Sequence, residues 1–475
     1  MEVRKGILWF RQDLRIHDNE ALFEALEFCK EIIPVYVFDE RLFGGKTRFG
    51  FPKTGKFRAK FIIESIHDLR KSLRARGSEL VVRFGKPEIE IFKIARQYKT
   101  DWVFCNRERT SEEVFVQDAL EQKLWSIGQE MRYSRGKMLY YTSDLPFPVT
   151  QTPDVFSNFR KEVEKIVPVR EPLPTESAEI PAFHFDLEPG EIPALQDLGY
   201  EKFEHDPRAA VAFEGGEAAA LKRLHYYFWE ADLPRNYKET RNELMGGDYS
   251  TKFSPWLSQG CISPKRIISE LTKYEDEVVK NESTYWIFFE LLWRDFFRLM
   301  GKKHLNRIFL KGGPKNANNA ALKNNPTLFQ IWADGQTGVP FIDANMNELR
   351  LTGFMSNRGR QNVASFLIHD LKINWQVGAE YFESLLIDYD PCSNWGNWNY
   401  IAGVGSDPRE TRYFNIASQA QRYDPNGDYV KRWCPQLEKI PAEKIHSLDA
   451  LAPAELSGYG ITLGENYPKP RALHF

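Results

Sequence analysis

The chain has 475 residues, too many for one ordinary core, so two or three domains are expected. Its formal net charge of −2 gives no overall field for nucleic acid, and any such contact has to come from a local basic patch. The 5 cysteines (Cys29, Cys105, Cys261, Cys392, Cys434) are scattered, which argues against a disulfide framework or a zinc site and points to a reducing compartment. Residues 1–135 alternate apolar runs (Gly6–Phe10, Ile32–Phe38, Leu80–Phe84, Trp102–Asn106, Glu130–Ser134) with helical patterns such as Phe57–Arg76 and Glu112–Ile127. This alternation predicts a Rossmann-like α/β domain on a parallel five-stranded sheet. Ligands of such sheets sit at the carboxyl ends of the strands, which here carry Arg11, Asp39 and Asn106-Arg107-Glu108. No G-x-G-x-x-G follows the first run, so an ordinary dinucleotide fingerprint is absent.

Prolines recur through 136–215 and predict a long, surface-wrapping linker. Residues 216–440 read as an all-α domain, with helical patterns at Glu217–Phe228, Pro264–Tyr274, Ser283–Met300, Gly359–Leu371 and Gly378–Leu386. Residues 441–475 read as an irregular tail. No signal peptide, transit peptide or uninterrupted apolar span of membrane length appears, and the sequence reads as cytoplasmic with no membrane contact.

Four segments of the helical half carry chemistry. The run Tyr285–Phe297 places Glu290, Trp293, Arg294 and Phe297 on one helix face. Either Glu290 and Arg294 form an i,i+4 pair on a core helix, or the face is a cavity floor presenting one acid and one flat aromatic. From 290 to 315 there are 7 Lys/Arg against 2 acids, a stretch suited to phosphate contact or to a solvated helix end. Residues 247–256 gather Ser250, Thr251, Lys252 and Ser254 ahead of a helix, as a phosphate cradle or as an N-cap cluster. In Thr352–Asn362, Asn357 and Arg360 are i,i+3 neighbours at a helix start, and Arg358 points elsewhere. The segment from Asp388 to Tyr400 packs 4 aromatics, 2 acids and 3 asparagines into 13 residues. Its area should be buried and its polar groups then need partners. A large, flat, hydrogen-bonding ligand such as an isoalloxazine meets both demands; a loop with core-anchoring tryptophans is the alternative. No GxSxG, HExxH, P-loop or CxxC occurs and no metal site is expected; a site rich in Trp, Arg and Asn suggests that a cofactor performs the chemistry.

Together these motifs, with Leu8–Asn19 at the start, resemble the photolyase/cryptochrome superfamily over nearly the whole chain and in the family's order. Tyr249–Trp256, Met355–Gln361 and Asp388–Asn394 resemble its DASH-type branch. The resemblance implies a bent FAD in the helical domain. Tyr237 and Ser250, Thr251, Lys252, Phe253 and Ser254 would contact its phosphates. Asn357, Arg360, Asp388, Asp390 and Asn394 would hold the flavin and sugar, with Arg294 in the same cofactor set. It also implies a 5,10-methenyltetrahydrofolate antenna touching Glu108. The implied reaction is blue-light-driven cleavage of cyclobutane pyrimidine dimers by an electron from reduced flavin, with single-stranded DNA as partner and a monomeric enzyme. Glu290, Trp293 and Tyr400 would meet the dimer; Arg241, Arg358 and the basic stretch would meet the DNA backbone. Trp398 and Trp375 match the inner members of an electron-feeding tryptophan series.

The chain departs from the family pattern at several positions. Gln361 stands where bacterial dimer photolyases carry methionine, which fits weak duplex repair. Ser356 and Asn357 disfavour repair of (6-4) lesions. Leu322 falls where a third tryptophan is expected, with Trp332, Trp395 or Tyr389 as substitutes, and Trp395 offers the lesion a further stacking surface. The alternative function is a blue-light photoreceptor with little repair, which the short stretch after the helical domain disfavours. A nucleotide-binding stress protein resting on the α/β domain leaves residues 216–440 unexplained.

Overall fold

The computed structural model describes residues 4–181, 186–318, 321–409 and 412–471. The five apolar runs form strands β1 (Lys5–Phe10), β2 (Glu31–Asp39), β3 (Val81–Gly85), β4 (Trp102–Asn106) and β5 (Glu130–Ser134). All pair in parallel, in the order β3-β2-β1-β4-β5. Helices α1 (Glu20–Phe28), α2 (Lys56–Arg74), α3 (Pro87–Tyr98) and α4 (Ser111–Trp125) form the crossovers. Local sequence sets their ends: Asn19 caps α1, Pro87 opens α3, and Thr110 with Glu113 makes a capping box on α4.

Strand side chains alternate between the two faces. Ile7 and Trp9 pack with α3 and α4 through Ile91, Ile94, Val116 and Leu120. Leu8 and Phe10 face a larger core that continues through Phe61, Trp256 and Phe296 into the helical half. A further core built around Trp332, Met346, Phe382 and Trp398 takes its buried residues from the helical half, with Phe49 and Phe51 packed against it from the first half. Because the sheet's core runs on into the helices, the chain's two halves share buried surface.

The proline-rich stretch is ordered by specific contacts. The Asp295 carboxylate accepts the N–H groups of Leu139 and Tyr140 at 3.1 and 2.9 Å, and the helix Phe156–Val163 stacks Phe156 on Trp293 with ring centroids 3.7 Å apart. The tail is packed as well: the buried Tyr467 hydroxyl donates to Asp343 at 2.9 Å, and Arg471 N–H donates to the Thr337 carbonyl at 2.8 Å.

The elements that bear on the site are α5 (Ser254–Gln259), α6 (Glu282–His304), α7 (Pro340–Thr352), α8 (Asn357–Ser365), α9 (Trp375–Leu385) and α10 (Pro391–Ile401). Each starts where the sequence supplies a cap or an N-terminal proline. Asn281 caps α6, Ser356 accepts Gly359 N–H at 2.9 Å on α8, and Asp390 accepts Ser393 N–H at 2.7 Å on α10, which Pro391 opens. Gly353, at φ +71°, ends α7; a Cβ there would also lie 2.6 Å from the Phe57 ring.

Candidate functional site

A cleft with about 1200 Å³ of atom-free space, its open mouth included, runs along the seam between the shared core and the helical core. Tyr237, Phe253 and Phe354 wall it from one core, and Met355, Ala364, Phe382, Trp398 and Ile401 from the other.

One part of the lining is built for an anion. Tyr237, Tyr249, Ser250, Thr251, Lys252, Phe253 and Ser254 all face the cleft. Lys252 sits in the left-handed region at φ 61° and is only 3 % exposed. Its ammonium lies 3.2 Å from the Tyr249 ring centroid and has no hydrogen-bond partner. Burial drives its pKa well below the usual lysine value; the Glu348 carboxylate opposes this, and Arg223 and Arg360 add to it. A buried cation without a partner is costly unless an anion arrives.

A second part offers acceptors and donors. Arg360 donates to Asp388 at 2.7 Å and to the Met355 carbonyl at 2.9 Å. The Ser254 hydroxyl donates to the same Asp388 oxygen at 2.6 Å, while the other oxygen of Asp388 is buried and unpartnered. The Asn394 amide donates to the Ala379 carbonyl at 3.0 Å, which leaves its own oxygen available. Asp390 lines the cleft, with one oxygen on the α10 cap and the other 3.2 Å from Arg298. Burial works to raise its pKa, but Arg298 and Arg294 outweigh it and hold the carboxyl below the usual range. An unpartnered ammonium near hydroxyls and an unpartnered carboxylate oxygen fit a ligand that carries phosphate and N–H donors, as FAD does.

Glu290 lines the cleft too, paired with Arg241, whose guanidinium lies 4.3 Å from the Trp286 ring centroid. The Glu290–Arg294 pair offered by spacing is therefore not formed. Burial raises the Glu290 carboxyl against the pull of Arg241, and since its side chain remains 33 % exposed, solvent screens the pair.

Several predicted residues lie outside the lining. Arg294 turns away and donates to the carbonyls of Lys137 (2.7 Å) and Leu257 (3.2 Å). Trp293 stacks on Phe156 and meets Tyr400 edge-on at 5.9 Å; Tyr400 in turn carries Arg412, 4.4 Å from its ring centroid. Arg358 bonds Gln361 and Asn242 at 2.8 and 2.9 Å and lies over Tyr423, so it diverges from Asn357, Arg360 and Gln361, which do face the cleft.

The basic stretch is divided between interior and surface, with Lys302, Arg307 and Lys315 exposed. Arg294 and Arg298 point inward to bonded partners, Lys303 bonds Asp154, and Lys315 bonds the Asp407 carbonyl. Glu108, the residue expected to touch a folate, is buried at the sheet's carboxyl edge with Lys137 on one oxygen and Arg298 on the other.

Trp398 lines the cleft, 5.1 Å from Phe382 and 6.5 Å from the buried Trp332. A Cβ at Gly378 would fall 2.3 Å from Trp398 Cη2, so α9 and α10 need glycine there to meet. Trp375 is wholly buried and its ring neighbour is Trp395, at 5.7 Å; Trp395 Nε1 donates to the Tyr389 hydroxyl at 3.3 Å. Leu322 packs against the helical core. Sequence reasoning missed Met355, Phe382, Ser393, Asn397 and Ile401 as lining residues. Asn397 follows Asn394 by one helical step and was legible on that ground; Phe382, on α9, has no local signal.

Residues 6–179 match the family model described as DNA photolyase, and residues 286–474 the one described as the FAD binding domain of DNA photolyase. A cryptochrome DASH of Gloeobacter violaceus is 47% identical over 470 residues, covering 99% of this chain and 93% of its own. The crystal structure of a Synechocystis sp. PCC6803 cryptochrome has a TM-score of 0.96 at 46% identity, with 100% of this chain and 97% of that one covered. A bacterial class III photolyase from Agrobacterium tumefaciens follows at 0.84 and 28% identity, with 100% and 95% covered. Among the described residues no helix is long and apolar enough to cross a membrane. With an FAD-binding domain of the photolyase type and full-length similarity to cryptochromes DASH, the chain belongs to the photolyase/cryptochrome family, in its DASH-type branch.

Proposed function

We propose that the protein binds FAD in this cleft and uses blue light to repair cyclobutane pyrimidine dimers in single-stranded DNA. The observation that carries the reading is one continuous cleft with two chemistries. An unpartnered buried cation among hydroxyls lies in one part, and an acid–arginine pair, its arginine over the half-buried Trp286 ring, lies in another. The chemistry FAD supplies when bound is the light-driven loan of one electron, which opens the cyclobutane ring and is then returned.

The chain's own residues do the rest. Lys252, Ser250, Thr251, Ser254 and Tyr237 bind the phosphates. Asp388, held by Arg360 and Ser254, keeps an oxygen for a flavin N–H, and Asn394 and Asn357 orient the ring system. Glu290, held by Arg241, accepts or donates at the dimer's carbonyl edge, with its raised pKa easing donation. Trp293, Tyr400 and Gln361 flank the lesion; Trp395 is buried against Phe309 and Trp375 and offers it no stacking surface. Arg241 and Arg358 meet the backbone. Flipping a dimer out costs least in a single strand. Trp398, touching Trp332 and Phe382, feeds electrons inward, with Trp375 and Trp395 as a second aromatic set. The resemblance also brings a methenyltetrahydrofolate antenna, and a near-ultraviolet folate band in the purified protein decides its presence.

The deciding experiment illuminates reduced protein with a dimer-containing single-stranded oligonucleotide. Lesion loss above the dark control is expected. Loss equal to the dark control refutes repair and leaves the photoreceptor function.

A further inference from the structure

The reversal of strand order between β1 and β4 is where an open parallel sheet ordinarily admits a ligand. Here the chain fills it. Asn106, at the end of β4, donates to Asp13 at 2.6 Å and closes the gap. Two residues on, Glu108 pairs with Lys137 through one oxygen and lies 3.3 Å from Arg298 through the other. Arg298 comes from α6, eight residues and about 12 Å of helix beyond Glu290. Its other terminal nitrogen lies 3.2 Å from Asp390, the cleft residue that caps α10. The side chains of Lys137, Glu108, Arg298 and Asp390 are 4, 2, 2 and 5 % exposed. Arg298 Nε has no partner, so the two carboxylates are what hold its guanidinium plane.

We infer that Glu108 is a positioning residue for the FAD cleft, fixing the orientation and charge of Asp390 through Arg298. The inference rests on the cleft being the FAD site. At low dielectric a linear set of full charges responds as a unit. Without the Glu108 carboxylate, Arg298 keeps one anionic partner and can turn about it, and the pull on Asp390 changes direction. The local charge also becomes more positive by one unit. Glu108 itself does not line the cleft, so a change there acts on bound FAD through this relay and through the field of the lost charge rather than by contact.

The test uses the full chain stripped of FAD, titrated with FAD, and then the midpoint potential of the bound flavin. Glu108→Gln is expected to weaken FAD by about tenfold and to raise the potential, because a negative charge is lost beside a site that gains electrons. Glu108→Asp, still anionic but shorter in reach, gives a smaller loss in the same direction and serves if the glutamine variant does not fold. Lys137→Met breaks the other arm of Glu108; it lowers the melting temperature but keeps FAD affinity and does not raise the potential. In the double variant Glu108→Gln/Asp390→Asn, the loss equals that of Asp390→Asn alone. Wild-type affinity in Glu108→Gln, equal losses in Glu108→Gln and Lys137→Met, or additive losses in the double variant each overturn the inference. Failure of the wild-type protein to take up FAD refutes the cleft assignment instead.

Discussion

Replacing Lys252 with methionine probes the cleft at its most unusual atom. In the free protein its ammonium is buried against the Tyr249 and Phe354 rings and faces Glu348, Asp248, Arg223 and Arg360. Desolvation holds its pKa well below 10.5. A phosphate in contact with it returns the favourable charge, so the complex binds more protons than the free protein. FAD binding should then take up as much as one proton wherever the pH lies between the free and bound pKa values, and affinity should fall by at most about tenfold per pH unit as pH rises there. At fixed pH the charge-assisted bond is worth about 1.5–3 kcal/mol, so Lys252→Met should weaken FAD by about ten- to hundredfold. Calorimetric titration in buffers of different ionisation enthalpy reads both quantities. The reasoning is refuted if wild-type binding takes up no proton, or if Lys252→Met binds FAD as tightly and with the same uptake.

Three further perturbations follow from the geometry. Glu348 is buried behind Lys252, accepts the Tyr429 hydroxyl at 2.6 Å, and has its pKa raised by burial from 4.5 to about 7. The stability this contributes is fully present below about 4.5 and is lost as pH rises through about 7, a span of about 3 kcal/mol. Glu348→Gln keeps the acceptor, so its melting temperature should gain on wild type as pH rises across that window; parallel curves would count against the buried acid. Glu290→Ala should lower dimer repair by about tenfold or more with FAD retained, as read by the flavin spectrum alongside lesion loss; a colourless protein would mean that Glu290 serves the cofactor. Trp398→Phe should greatly slow light-driven reduction of bound flavin yet leave repair by chemically reduced protein near wild type. Unchanged photoreduction would place the electron path elsewhere, with Trp375 and Trp395 next to be tested.

Local sequence determined what local physics controls. Apolar runs of strand length between capped helices define a parallel sheet, and β1–β5 match those runs to within a residue or two. Caps at Asn281, Ser356 and Asp390 start their helices from nearby side chains alone. The aromatic and asparagine-rich segment from Asp388 to Tyr400 could be read as ligand-facing because burial and hydrogen-bond need conflict within a few residues. Which partner each charge takes is decided across long sequence distances, and no periodicity carries it. Arg294 satisfies Glu290 by helical spacing, but folding brings Arg241 to Glu290 and carries Arg294 to backbone carbonyls. Basic residues from 294 to 315 read as one patch, yet the helix turns Arg294 and Arg298 into the interior. Glu108, near the end of β4, reads as a ligand contact; packing α6 against the sheet edge gives it Arg298 and ties it to Asp390. Tertiary structure alone decided these, because a buried charge must be matched by whatever the fold brings within a few ångströms.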